Sequence, residues 1–194
     1  MHKRIFFLVN SITVYRMMAA PFLLILVISK EIDLFKWLLA FSFITDAADG
    51  YLARRYKVIS IAGSKLDSIA DDVTIVVAMI GIIGFKPEFL KHEIFLFILL
   101  FALFILQTVL ALSRYGKISS FHTYGAKIAA ILQAIFLVLF FFSGKPLYGL
   151  FYITIIVTAI ELVEEIIITL WLRRWETNVK GLYWIIKRKG KLTT

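Results

Sequence analysis

The sequence predicts an all-α integral membrane protein, a bundle of six transmembrane helices. Of its 194 residues, 61% are hydrophobic, whereas soluble domains are usually about half apolar. The apolar residues also form runs of about 20, the length at which a helix crosses the hydrocarbon of a bilayer, and such runs favour helices over strands. The runs lie at residues 5–28, 34–54, 65–85, 93–113, 123–143 and 147–172.

Because these runs use nearly the whole chain, we expect one membrane domain over residues 1–194, ending in a basic cytoplasmic tail at 173–194. The loops are short, and no long linker or repeat is left over. The absence of cysteine excludes disulfides and thiol chemistry. We expect membrane lipids around this domain and no nucleic-acid partner.

The first run resembles a signal peptide in one respect, since basic residues at 2–4 precede it. Asn10 and Arg16 interrupt its apolar core, however, and hydrophobicity resumes after Pro21. We therefore expect this run to be a helix of the mature protein.

Basic residues predict the orientation of the bundle. With a cytoplasmic N-terminus, most Lys and Arg residues near the ends of the spans fall on the cytoplasmic side, and so do those of the tail. The exceptions are Lys30, Lys36, Lys86, Lys91 and Lys145. The excess of positive charge predicts that both termini are cytoplasmic.

The second and third helices carry acids within apolar sequence. Asp46 and Asp49 stand at i and i+3, and Asp67 and Asp71 at i and i+4, so each pair projects from one helical face. An Asp near the centre of a membrane helix costs roughly 2.5 to 3.5 kcal/mol, and these therefore need an offsetting partner. A connecting loop of about a dozen residues predicts antiparallel neighbours whose carboxylates face each other.

Four converging carboxylates repel one another until protons or cations neutralise them. No His or Cys lies in the cluster, and oxygen-only ligation suits Mg²⁺, Mn²⁺ or Ca²⁺ rather than zinc or copper. Two such ions could share the four carboxylates, hold a pyrophosphate and stabilise a displacement at phosphorus.

Residues beside the acids suit a phosphate ligand. Gly50 and Ala53 keep one face of the second helix bare, and Gly63 opens the third, so that a bulky ligand can approach. Arg54 offers a planar cation for phosphate oxygens. The alternatives are helix packing for Gly50 and Ala53, and anchoring at the membrane rim for Arg54 and Arg55.

The spacing of these residues resembles the signature of the CDP-alcohol phosphatidyltransferase family, with every defining position filled. The pattern is Asp46-x2-Asp49-Gly50-x2-Ala53-Arg54-x8-Gly63-x3-Asp67-x3-Asp71.

The resemblance implies transfer of a phosphatidyl group from CDP-diacylglycerol to an alcohol, with release of CMP. It implies that the four aspartates hold two Mg²⁺ or Mn²⁺ ions and that Asp71 is also the base for the acceptor's hydroxyl proton. Members of the family are commonly homodimers, so we expect a homodimer. The residues implied to line the nucleotide pocket are Gly50, Ala53, Arg54 and Gly63.

The first helix carries Asn10, Thr13 and Arg16 along one broad polar stripe, followed by Pro21. This stretch resembles the opening helix of the phosphatidylglycerophosphate synthase and cardiolipin synthase branch. We assign Asn10 and Thr13 to the nucleotide pocket and Arg16 to the acceptor. The alternatives are that Asn10 and Thr13 cap the helix and that Arg16 snorkels or pairs with a carboxylate.

The identity of the acceptor alcohol stays open, because two short stretches of this sequence differ from those usual in that branch. The branch usually reads Leu-Asp-Pro and Ala-Asp-Lys where this chain has Leu66-Asp67-Ser68 and Ala70-Asp71-Asp72. Glycerol 3-phosphate is the first choice, and inositol phosphate, serine and phosphatidylglycerol are the alternatives. Asp72 either alters the acceptor or faces a basic partner as a structural residue.

A phosphorylated acceptor needs cations beyond the metals. Arg114, Lys117 and Lys127 lie on the predicted cytoplasmic side and could supply them, with Lys127 expected to sit deepest. The alternative for Arg114 and Lys117 is interfacial anchoring. His122 is expected to start a helix rather than to bind a ligand.

The sixth helix carries further acids at Glu161, Glu164 and Glu165. We favour structural ion pairs over catalysis, because the four-aspartate site is already chemically complete. The candidate partners are Arg16, Arg54 and Lys127.

The basic residues of the tail surround an apolar stretch at 182–186. This pattern indicates either an amphipathic segment that lies on anionic lipid headgroups or ordinary anchoring by positive charge on the cytoplasmic side, and we prefer the second interpretation.

A divalent-cation or proton-coupled transporter is the rival function for buried acids. Transport needs polar access from both faces, whereas the stretch VVAMIGIIGF at 76–85 is apolar. The sequence therefore favours the enzyme.

Overall fold

The computed structural model describes residues 2–56, 61–117, 121, 123–172, 175–176 and 179–190, with the backbone alone at 2–10, 13, 49, 52–54, 61–68 and 188–190. The described residues form seven helices and short connections. The helices are α1 His2–Ile28, α2 Ile32–Tyr56, α3 Ile61–Phe85, α4 Pro87–Tyr115, α5 Tyr124–Ser143, α6 Tyr148–Trp171 and α7 Leu182–Gly190. The predicted all-α class is confirmed, and each predicted span corresponds to one of α1 to α6.

Two of the described helices, α4 and α5, are long and apolar enough to cross a membrane, and Val14–Ile28 in α1 is a shorter apolar run. On α4, the side chains of Phe95 and Phe101 are 72% and 66% exposed. A large outward-facing apolar surface is what a membrane-embedded helix presents to lipid. These features support a membrane protein, while the count of six spans and the side of the termini stay predictions.

The described chain divides into two compact units. The first contains α1, α2, α3 and the start of α4, together with Phe141–Gly144. Within it, α1 packs against both α2 and α3, whereas α2 and α3 touch at few of the described positions. The sequence predicted α2 and α3 as direct neighbours, but it did not reveal that α1 is the helix on which both pack.

Small residues allow the helices of the first unit to approach closely. A Cβ atom at Gly84 of α3 would stand 2.5 Å from Cγ1 of Val27 in α1, and one at Gly81 would stand 2.5 Å from the Phe35 ring of α2. Phe35 also packs against Phe85 and Phe141, with ring centroids 5.1 and 4.9 Å apart. Glycine is therefore required at positions 81 and 84 by packing.

Lysines hold the turns at the end of this unit where α3 finishes. Lys30 has a positive φ of 59° in the turn between α1 and α2, and its Nζ donates to the Gly84 carbonyl at 2.8 Å. Lys86 Nζ donates to the Gly144 carbonyl at 3.1 Å. A cation near the last carbonyls of a helix satisfies their free acceptors.

The second unit contains the rest of α4 with α5, α6 and α7. Its helices are joined by side-chain hydrogen bonds, a frequent means of linking helices within membranes. The bonds run from Gln107 Nε2 to Glu165 at 2.7 Å, from Gln133 Nε2 to Thr158 at 3.0 Å and from the Tyr152 hydroxyl to Glu93 at 2.9 Å.

The tail packs against the protein through α7. Val179 and Ile185 are buried in an apolar cluster with Phe121, Ile168 and Leu172. The ring of Tyr183 is exposed. The tail is therefore more than a basic anchor, since one side of it belongs to the core of the second unit.

The described contacts of the α6 glutamates differ from the predicted ion pairs. Glu164 accepts a hydrogen bond from the backbone N–H of Leu182 at 2.8 Å, at the first residue of α7, and Glu165 accepts the bond from Gln107. Glu161 lies beside Glu165. A carboxylate at a helix N-terminus satisfies free backbone donors there, so Glu164 has a structural role that needs no basic partner.

Candidate active site

Arg16 lies at the centre of the predicted site. Its side chain is 1% exposed. Its guanidinium forms an ion pair with Asp46 of α2 through Nη1 and another with Asp71 of α3 through Nη2. The side chains of the two aspartates are 34% and 46% exposed. Three helices therefore bring one buried cation and two partly exposed carboxylates together.

The local sequence explains why these side chains meet. Ala19 and Ala20 in α1 and Ala70 in α3 are buried, and α1 packs against α3, a close approach that small residues favour. Asp46 stands one turn beyond Ser42, so both project from the same face of α2.

Ser42 is a feature of this face that the sequence analysis missed. Its side chain is buried, and its hydroxyl has no hydrogen-bond partner among the described residues. The available signal was the spacing of four between Ser42 and Asp46, which places a second polar group on the face that carries the acid.

The described carboxylates fit the predicted divalent cations. Asp46 and Asp71 come from different helices, converge on one cation and lie within interaction range of each other. Carboxylate oxygens are the donors that Mg²⁺ and Mn²⁺ prefer. Among the residues with described side chains, no group of three or more His, Cys, Asp or Glu forms a metal cluster, so metal binding stays a prediction.

Several predicted site residues lie outside the described side chains. These are Asn10, Thr13, Asp49, Ala53, Arg54, Gly63 and Asp67, and His122 lies outside the described residues altogether. Gly50 is described, half-buried and one turn beyond Asp46 in α2. Asp72 is exposed, with neither a hydrogen bond nor an ion pair to any residue in the described part of the chain.

The predicted acceptor cations belong to the second unit, apart from Arg16. Arg114, Lys117 and Lys127 are all exposed. Lys117 Nζ lies 4.5 Å from the centre of the Trp175 ring, and Lys127 Nζ lies 5.4 Å from that of Tyr124. Lys127 lies about one turn into α5, and its depth and the binding of the acceptor by these three residues stay predictions.

Comparison with known families decides the assignment. The model of the family described as CDP-alcohol phosphatidyltransferase matches residues 6–171, from the first turns of α1 to the end of α6. The chain belongs to the CDP-alcohol phosphatidyltransferase family. The predicted family and the predicted class of enzyme are confirmed, and this membership favours the phosphatidyltransferase over the transporter.

A curated relative in Cereibacter sphaeroides is named CDP-diacylglycerol–glycerol-3-phosphate 3-phosphatidyltransferase. It is 36% identical to this phosphatidyltransferase over 81 residues, which cover 40% of this chain and 37% of the relative. The match thus spans well under half of that relative's length. No solved structure matches the chain.

Proposed function

We propose that this phosphatidyltransferase transfers the phosphatidyl group of CDP-diacylglycerol to glycerol 3-phosphate and releases CMP. The observation that carries the proposal is the convergence of Asp46 and Asp71 on Arg16, because it brings acids from both halves of the family signature to one place. The name of the Cereibacter sphaeroides relative supports glycerol 3-phosphate as the acceptor. Inositol phosphate, serine and phosphatidylglycerol are the alternative acceptors.

In the proposed reaction, the hydroxyl oxygen of the acceptor forms a bond to the phosphorus that carries diacylglycerol. The bond between that phosphorus and the oxygen bridging it to CMP breaks, and CMP leaves with this oxygen and the bonding electrons. The hydroxyl proton passes to the carboxylate of Asp71. Asp71 suits this role because its side chain is 46% exposed while Arg16 fixes its orientation.

Asp46, Asp49, Asp67 and Asp71 would hold two Mg²⁺ or Mn²⁺ ions, which when bound screen the diphosphate charge and stabilise the departing CMP. The nucleotide itself would lie against the small residues of α2 and α3, where a side chain does not obstruct it, with Arg54 on its phosphates. The proposed nucleotide-pocket residues are Gly50, Ala53, Arg54, Gly63, Asn10 and Thr13.

The acceptor's phosphate would be bound by cations. Arg114, Lys117 and Lys127 are proposed for this role because they are exposed and belong to the predicted cytoplasmic side. We further propose six membrane spans with both termini in the cytoplasm, an active site facing the cytosol and a homodimer.

The test is a transfer assay with purified protein in detergent. Labelled CDP-diacylglycerol is incubated with Mg²⁺ or Mn²⁺ and, separately, with each of the four acceptors, and lipid product and CMP are measured. We expect product with glycerol 3-phosphate in the presence of either metal. The proposal is wrong if neither metal gives CMP with any acceptor, and the acceptor assignment is wrong if another alcohol gives the main product.

Substitution of the proposed base provides the first prediction. Asp71→Asn keeps the shape of the side chain but removes its ability to take a proton, so we expect a fall in kcat of about 100-fold or more. The matched control is Asp33→Asn in the first turn of α2, where the carboxylate is exposed and pairs with Lys36. We expect this control to retain the activity of the parent, and equal losses in both variants would contradict the assignment of Asp71.

A further inference from the structure

Arg16 is a buried cation whose two described ion pairs reach two different helices. It lies in α1, and its partners Asp46 and Asp71 lie in α2 and α3. A cation needed only to neutralise one acid would require one partner. The arrangement instead joins the two acids to each other through a third helix.

The chemistry of arginine suits this bridging position. The guanidinium is planar and always charged, and its separate nitrogens can donate to two acceptors at once, whereas the ammonium of lysine is a single compact charge. Because α1 packs against both α2 and α3, the backbone that carries Arg16 is held in place by the same helices as its partners.

Exposure distinguishes the two sides of the cluster. The Arg16 side chain is 1% exposed, while those of Asp46 and Asp71 are 34% and 46% exposed. Each aspartate meets Arg16 through Oδ1. The guanidinium thus contacts the carboxylates from the protein interior and leaves part of each side chain open to a ligand.

We propose that Arg16 is a positioning residue, which holds Asp46 and Asp71 at the separation at which they can share a divalent cation and keeps the site assembled before that cation binds. The inference rests on the proposed function in so far as these carboxylates are the metal ligands. It gives Arg16 a role different from binding the acceptor. Residues that orient metal ligands typically change metal affinity by about 10–100-fold when they are replaced.

The first test measures thermal unfolding in detergent with excess chelator, so that no divalent cation contributes. Arg16→Gln leaves two carboxylates with no bridging charge, and we expect the unfolding temperature to fall by about 10 °C. The matched control is Lys91→Gln, which removes an exposed ion pair with Glu88 and is expected to change the unfolding temperature by about 2 °C or less.

A second set of variants tests whether the carboxylates cause this loss. The double change Asp46→Asn and Asp71→Asn lowers the unfolding temperature of the parent, because the buried charge of Arg16 then loses these two carboxylates. The same pair of changes raises the unfolding temperature of Arg16→Gln, because it removes the repulsion. If Arg16→Gln does not fold, the triple variant recovers folded protein, and a triple variant that also fails overturns the proposal.

The third test measures Mn²⁺ binding directly, from the electron paramagnetic resonance signal of the free ion during a titration. We expect Arg16→Gln and Arg16→Lys each to weaken binding by about 10–100-fold, because a lysine keeps the charge but lacks the rigid planar fork that fixes the separation of the two carboxylates. Binding by either variant as tight as that of the parent overturns the positioning role.

These measurements separate the two proposals. If Mn²⁺ binding depends on Arg16 but no acceptor yields CMP, the proposed function fails and the positioning role stands. If the parent transfers the phosphatidyl group and Arg16→Gln binds Mn²⁺ unchanged, the positioning role fails and the proposed function stands.

Discussion

At the scale of single residues, the described part of the site is built on the ion pairs that Arg16 of α1 forms with Asp46 of α2 and Asp71 of α3. The spacing of the aspartates predicted that Asp46 and Asp71 would project toward a common site. Arg16 lies 30 positions before Asp46, and the sequence left three roles open for it. It could bind the acceptor, snorkel to the membrane surface or pair with a carboxylate. The choice depends on how α1 is rotated about its axis, which is fixed by its packing against α2 and α3 rather than by its own sequence.

Ser42 provides a prediction at this scale. A buried hydroxyl without a hydrogen bond carries an uncompensated desolvation cost of about 1–3 kcal/mol, and the Ser42 hydroxyl has no partner among the described residues. We therefore expect Ser42→Ala to raise the unfolding temperature of the detergent-solubilised protein by about 2–4 °C.

The control is Ser11→Ala, at an exposed position of α1, where we expect almost no change. A fall in the unfolding temperature of Ser42→Ala would mean that this hydroxyl has a bonding partner in the folded protein.

At the scale of helices, the sequence predicted which helices form better than it predicted where each helix begins and ends. The fourth apolar run begins at residue 93, whereas α4 begins at Pro87. Proline suits the first position of a helix, and Glu88 and Lys91 pair at i and i+3 on the exposed first turn. Counting apolar residues finds the part of a helix that lipid can surround, and it omits the polar turns that extend beyond it.

The position of α7 could not be predicted from the sequence, for a different reason. Its basic and apolar residues predicted a surface segment. In the structure, the backbone N–H of Leu182 in α7 donates a hydrogen bond to Glu164, which lies 18 positions earlier in the chain. A glutamate in an apolar helix gives no indication, by itself, of which backbone donor it will meet.

Removal of this carboxylate should release α7. Glu164→Ala deprives the Leu182 N–H of its acceptor, and a lost bond of this kind costs about 1.4 kcal/mol, equivalent to tenfold in an opening equilibrium. We expect amide hydrogen exchange across α7 to accelerate about tenfold, measured by mass spectrometry of peptides from the tail.

Glu88→Ala is the control, because Glu88 is exposed and pairs only with Lys91 among the residues described. Exchange in α7 that is equally slow in the two variants would show that Glu164 does not hold the tail.

At the scale of the whole molecule, composition predicted a membrane protein, and the exposed phenylalanines of α4 support that class. The number of spans and their direction were predicted from the lengths of apolar runs and from the distribution of Lys and Arg. The direction cannot be determined from helix packing, because a helix has the same internal hydrogen bonds in either direction across a bilayer.

The absence of cysteine makes the orientation testable. Ser29 and Ser113 are both exposed, and the predicted topology puts Ser29 outside the cytoplasm and Ser113 near its cytoplasmic face. We expect a membrane-impermeant maleimide to label Ser29→Cys in intact cells and to label Ser113→Cys only after the membrane is opened, because positive charge keeps that side inside.

Because both substitutions replace a hydroxyl by a thiol at an exposed position, each serves as the control for the other. The reverse labelling pattern would invert the proposed orientation and place the active site on the opposite side.

The contact between Gly84 and Val27 closes the space between α1 and α3 near the end of α3, 13 residues beyond Asp71. A single added carbon at Gly84 would stand 2.5 Å from Val27, well inside the roughly 3.5–4.0 Å at which carbon atoms attract. An acyl chain is wider than one carbon atom and therefore cannot slide between α1 and α3 at this level. At this level, a hydrocarbon chain beside the protein is kept to the outer faces of α1 and α3.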